Sequence, residues 1–225
     1  MEDFLVDAIN GMEEREVPVI EIENITKKFG KTKVFENICL NFFKGKIYGI
    51  VGHNGSGKTV LFKCICGLLL PEEGSINIHG KKLEGMLSEA GIIIENPAFL
   101  SGKTGRKNLE LLYMLRHKRD IKYIEKIMIQ VGLDPMSKKP VKNYSLGMRQ
   151  RLAIAQAIME DPEILILDEP MNGLDKNGIQ EVREMLLGLK TEGKTIILAS
   201  HNKEDIEVLC DEVYEMEKGC IKLLR

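Results

Sequence analysis

Residues Gly52-His53-Asn54-Gly55-Ser56-Gly57-Lys58-Thr59 carry the spacing G-x-x-x-x-G-K-[ST]. That spacing does phosphate chemistry. The glycines let the backbone wrap until successive N–H groups converge on phosphate oxygens. A helix starting at the lysine brings the positive end of its dipole to the same place. The Lys58 ammonium suits the β- and γ-phosphates of a nucleoside triphosphate, and the Thr59 hydroxyl suits Mg²⁺. His53 lines the loop by position alone, and His79 and His117 have no comparable setting.

A second group sits at Ile164-Leu165-Ile166-Leu167-Asp168-Glu169, an apolar run ending in two carboxylates. A buried strand can deliver Asp168 rigidly to the cation that Thr59 also meets. Glu169, one residue on, faces elsewhere and can polarise a water for in-line attack on the γ-phosphate. A third group, Tyr144-Ser145-Leu146-Gly147-Met148-Arg149-Gln150-Arg151, opens a helical pattern. A serine hydroxyl, a glycine and a helix N-terminus together make an anion site.

This third group resembles the L-S-G-G-Q-x-R signature of ABC-type ATPases. Leu146 stands where that pattern has its first glycine, and Tyr144 where it has leucine. The resemblance implies that Ser145, Leu146, Gly147 and Met148 bind the γ-phosphate held by a partner subunit, so that ATP lies between two chains. It extends to single positions. Phe29 is similar to the aromatic that stacks on adenine, and Asn172-Gly173-Leu174-Asp175 to the loop that crosses the dimer interface. Asp175 also suits a plain helix cap. His201 resembles the switch histidine that bonds the γ-phosphate. Glu95 departs from the pattern, which has glutamine there, contacting Mg²⁺ or its water and sensing the membrane partner. A carboxylate still offers oxygen to the metal, but adds negative charge near the γ-phosphate. The run Ile94-Glu95-Asn96-Pro97-Ala98-Phe99 resembles the ATP-binding subunits of bacitracin and lantibiotic self-protection.

Positioning these groups takes alternating elements. Val19 to Ile25, Val34 to Phe42, Lys46 to Val51 and Gly74 to Gly80 read as strands. Val60 to Cys66 continues a helix. Helical spacing then covers Arg106 to His117, Ile121 to Val131 and about Gly147 to Met159. Ile164 to Leu167 and Thr195 to Ala199 are apolar enough to be buried on both faces, and Val213 to Leu224 reads as a hairpin turning at Lys218-Gly219. The expected fold is therefore α/β: a P-loop NTPase core with an N-terminal antiparallel β subdomain and an α-helical subdomain inserted at about residues 96–160. The domain takes residues 18–225 and leaves an acidic extension at 1–17, which fits either a short amphipathic helix or a frayed tail.

Composition sets limits. The chain has 225 residues, 44% hydrophobic and 29% charged, with a net charge of −2. That balance gives no electrostatic case for nucleic acid, and the basic run Lys138 to Lys142 reads as a solvated loop. No apolar run reaches the length of a membrane span, and nothing resembles a signal peptide. Five cysteines without zinc spacing read as core thiols.

Together the residues and the resemblance imply ATP hydrolysis driving a transporter, with ATP and Mg²⁺ bound. Glu169, His201 and Lys58 would be catalytic. Phe29 and residues 52–59 would bind nucleotide, and Thr59, Glu95 and Asp168 the metal. The partners would be a second ATP-binding subunit and a separate transmembrane permease docking beside Glu95 to Leu100, with the chain on the cytoplasmic face of the membrane. Export of a peptide antibiotic or similar amphiphile follows from the branch resemblance. The alternative is an ABC ATPase acting on nucleic acid or ribosomes, which predicts long coiled coils, a second ATPase domain or a basic surface. A nucleotide kinase sharing the loop conflicts with the Ser145 motif and His201.

Overall fold

The computed structural model describes residues 17–95 and 97–225. The tail reading for Met1 to Glu16, and Asn96, lie outside the described residues.

Two sheets share the core. The first is antiparallel, in the order β2-β1-β4-β5, with β1 at Ile20–Phe29, β2 at Thr32–Phe42, β4 at Glu73–Ile78 and β5 at Lys81–Lys82. The second has six strands in the order β10-β9-β3-β8-β7-β6. Its strands are β3 (Ile47–Val51), β6 (Ala90–Ile93), β7 (Ile164–Asp168), β8 (Thr195–Ala199), β9 (Glu212–Glu217) and β10 (Cys220–Leu223). All neighbours pair in parallel except the closing β9–β10 hairpin. Helix α1 (Lys58–Ile65) follows β3. Between β6 and β7 come α2 (Gly105–Tyr113), α3 (Ile121–Gln130) and α4 (Leu146–Ile158). α5 (Lys176–Thr191) and α6 (Lys203–Leu209) complete the chain order.

The apolar runs at β7 and β8 are buried on both faces, as their composition requires. Alternate residues enter different cores. Ile164, Ile166, Ile197 and Ala199 join one cluster with Phe35, Phe42, Tyr48 and Phe62, between the antiparallel sheet, α1 and the parallel strands. Leu165, Leu167, Ile196 and Leu198 join the other, beneath Leu109, Ile124, Leu152 and Leu186 of the helices. A one-residue slip in either strand would exchange the two sets.

Two elements differ from the sequence pattern. β1 runs on to Phe29 rather than stopping at Ile25. Register shifts beyond Ile22, with Asn24 at φ +49°, break the alternation that marks a strand while the pairing with β2 continues. α2 ends at Tyr113 rather than reaching His117. Leu115 is 79% exposed, so another turn buries nothing, and the chain leaves in turns with the His117 ring stacked on Tyr113.

Candidate functional site

β3 ends at Val51 and the chain turns at Gly52, where φ is +151° and a Cβ would lie 2.3 Å from the Met216 carbonyl oxygen. Only glycine fits there. The loop then leads into α1 at Lys58. Lys58 is buried, and its ammonium donates to the carbonyls of Gly52 at 2.7 Å and His53 at 3.2 Å. Both partners are neutral, so the buried positive charge lacks an anion among the described residues. Ser56 Oγ is buried without a hydrogen-bond partner among the described residues. An uncompensated ammonium and an orphaned hydroxyl in one loop fit a bound phosphate.

Strand register places the carboxylates. Ile50 pairs with Ala199, and Ala199 pairs with Asp168, so β8 alone separates the loop strand from Asp168. Those two strand spacings amount to roughly 10 Å. The first turn of α1 closes the gap, with Thr59 Oγ1 donating to Asp168 Oδ2 at 2.6 Å. Two hard oxygen donors thus meet at one point, a set that suits Mg²⁺.

Glu169 has φ +52°, an unusual backbone for a residue with a side chain. Its N–H donates to the Ala199 carbonyl at 3.0 Å, and its own carbonyl accepts the Asn172 N–H at 3.1 Å. One carboxylate oxygen lies 2.8 Å from His201 Nδ1 and accepts the His201 N–H at 3.4 Å. The two side chains expected to act separately on the γ-phosphate therefore touch each other. Glu95, at φ +59°, has its carboxylate 2.5 Å from Lys63 Nζ on α1. The negative charge expected to stand open is met by a cation one turn beyond Thr59.

A cleft of about 610 Å³ gathers Phe29, residues 54–59, Glu95, Asp168 and Glu169. Phe29 is half exposed at its rim, with the Lys27 ammonium 5.4 Å from the ring centre. Gln150 and Asn172 also line the cleft, although the sequence placed Asn172 only in the loop expected to cross the dimer interface and gave Gln150 no role of its own. Gly52, His53 and His201 are not part of that lining, nor are Ser145 to Met148. Ser145 caps α4, its Oγ accepting the Met148 N–H at 3.2 Å. Leu146 is 57% exposed and covers Gly173, where an added Cβ would meet the Leu146 side chain at 2.4 Å. Asp175 caps α5 through the Gly178 N–H. Arg151 faces inward, donating to the Val131 carbonyl and pairing with Glu181.

Burial pushes the Cys64 thiol up to about 11 and those of Cys66 and Cys210 to about 12, so these three stay protonated core residues.

A family model described as ABC transporter matches residues 35–172. The chain belongs to the ABC transporter family. Bacitracin transport ATP-binding protein BcrA of Enterococcus faecalis is 45% identical over 206 residues, which cover 89% of this chain and 67% of that one. Lantibiotic transport ATP-binding protein SrtF of Streptococcus pyogenes is 37% identical, with 91% and 90% covered. Among solved structures, an ATP-binding subunit of an ABC transporter superposes with a TM-score of 0.82 at 25% identity, covering 92% of this chain and 90% of its own. This ABC protein is an ATP-binding cassette with ATPase chemistry, and the P-loop NTPase fold of the cassette is the one described above. None of its helices among the described residues is long and apolar enough to cross a membrane.

Proposed function

We propose that this chain binds and hydrolyses ATP to power export of a peptide antibiotic or similar amphiphile through a separate membrane-spanning subunit. The observation that carries the ATPase reading is the 2.6 Å meeting of Thr59 and Asp168 beneath a loop whose Lys58 lacks an anion. The likeness to BcrA and SrtF supports the substrate class.

Lys58 exchanges its two backbone carbonyls for phosphate oxygens, and the loop N–H groups share the charge. Phe29 offers a half-exposed face to the adenine. Thr59 and Asp168, with Glu95 beside them, would hold Mg²⁺, which when bound neutralises β- and γ-phosphate oxygens. Glu169 takes the proton of the attacking water. His201 orients that carboxylate through the 2.8 Å contact and moves to the γ-phosphate once ATP is present. Ser145 and Leu146 are exposed and, with Gly147 and Met148, lie outside the lining of the chain's own cleft, so they act on the ATP of a second subunit rather than on their own. The permease docks beside Glu95 to Leu100, where Leu100 is exposed, on the cytoplasmic face of the membrane.

Co-purification with a multispanning membrane subunit, followed by ATPase assays in vesicles, tests this reading. Peptide antibiotics such as bacitracin or a lantibiotic should stimulate hydrolysis by the complex. Purification with nucleic acid or ribosomes alone, and no response to such peptides, would contradict it.

A further inference from the structure

Glu169 holds a left-handed backbone, φ +52°, that a residue with a side chain adopts only when its surroundings impose it. One of the groups imposing it comes from an unexpected direction. Gln150 lies on α4, in the second turn after the Ser145 cap. Its side-chain amide donates to the Glu169 carbonyl at 3.3 Å and to the Pro170 carbonyl at 2.9 Å. Both hydrogens of one amide thus clamp two successive carbonyls of the turn that aims the Glu169 carboxylate. Gln150 also lines the nucleotide cleft.

The same helix start is tied to the same stretch a second time. Leu146 packs over Gly173, and an added Cβ at Gly147 would lie 3.0 Å from the Gly173 carbonyl oxygen. Gly173 has φ +77° and follows Asn172, whose N–H bonds the Glu169 carbonyl. The helix start that carries Ser145, Leu146 and Gln150 is therefore joined to the Glu169–Gly173 turn by both hydrogen bonds and packing.

We infer that Gln150 is a positioning residue for hydrolysis: it holds the backbone of Glu169 to the signature helix, so that engagement of Ser145 by a second subunit sets the aim of the carboxylate within the same chain. The inference deepens the proposed function and rests on Glu169 being the base. Gln150 touches no reacting atom and acts only through the turn. A donor at position 150 is what the turn requires, since each clamped atom is a carbonyl oxygen.

The test is a series at position 150 in the full chain, reading kcat, the ATP KM, ATP-dependent dimerisation and the thermal midpoint. Gln150→Met keeps the length and removes both donors, and kcat should fall about tenfold with the ATP KM within about twofold. Gln150→Glu presents oxygen to two carbonyls and should fall further, about a hundredfold. Gln150→Lys restores donors and should recover to within about threefold of the parental kcat. Dimers should still form with ATP in all three. A purely structural role would instead follow the thermal midpoint and ignore the donor order. Parental kcat in a folded Gln150→Met variant, or a Gln150→Lys variant no better than Gln150→Met, would overturn the inference. Glu169→Gln, measured alongside, separates the two levels. If it stalls hydrolysis while Gln150→Met does not, the clamp alone is wrong. If it hydrolyses at the parental rate, the base assignment beneath the clamp is wrong.

Discussion

The loop at Gly52–Thr59 and the helix start at Ser145–Met148 each open a helix, but they are built differently. The loop lines a cleft, with a buried ammonium bonded only to carbonyls and a buried hydroxyl without a hydrogen-bond partner among the described residues. The helix start lies outside that lining. Ser145 is exposed with its hydroxyl already bonded to Met148, and Leu146 stands open to solvent above Gly173. A concave half-site with unmet polar groups can hold a ligand by itself. An exposed one whose polar groups are already met contributes only when another surface closes on it. We read the first half as a binding site and the second as an interface.

The largest expected effect breaks the chemistry of the concave half. Glu169→Gln keeps the loop, the cation ligands and the turn, but removes the base. Its kcat should fall about a thousandfold while an ATP-bound dimer accumulates on size exclusion. Hydrolysis at the parental rate would place the base elsewhere. The next effect falls on the signature half. Ser145→Arg puts bulk on an exposed surface, so the isolated chain should bind ATP within about twofold of normal while dimer hydrolysis drops about a hundredfold. Parental hydrolysis by that variant would deny that Ser145 faces the ATP of a second subunit.

Smaller effects sharpen the contrast. Phe29→Ala removes the half-exposed ring at the cleft rim and should weaken ATP binding about tenfold with little change in kcat, measured by titration and steady-state rates. Acid should act on the helical side. Glu110 on α2 is buried; burial alone would raise its carboxyl, but hydrogen bonds from Arg119 and Lys107 outweigh this and hold it low. A carboxyl lowered by folding stabilises the fold above its unfolded value of 4.5 and loses that contribution as pH falls through the folded value. Glu110→Gln should therefore lower stability near neutrality, where that contribution is fully present, and flatten the further loss of stability below about pH 4.5, read by denaturant unfolding at each pH.

Much of this was legible in the residues. The apolar runs before Asp168 and Ser200 announced strands buried on both faces, and the loop spacing announced the helix that follows it. What stayed hidden depends on contacts distant in sequence. Glu95 reads as an open charge until Lys63, 32 positions earlier, is seen beside it. The Glu169–His201 contact follows from adjacent strand ends, which no spacing rule reports. Gln150 appears as one polar residue on a helix, because its partners are two carbonyls of a left-handed turn. The extension of β1 to Phe29 was masked by bulges that erase alternation. Sequence pattern reports periodic burial, and each of these features is a local exception to it.

The central claim is that one ATP site takes its loop from one chain and its signature from another. Complementation between two silent variants tests it most directly. Lys58→Ala spoils the loop and Ser145→Arg spoils the signature, so each homodimer has two broken sites. In a mixed dimer, the loop of the Ser145→Arg chain faces the signature of the Lys58→Ala chain, and one site is whole. An equal mixture should recover about a quarter of the parental ATPase rate, since random pairing makes half the dimers mixed with one working site each. A mixture as silent as its components, both folded and both able to dimerise with the parental chain, would contradict the account.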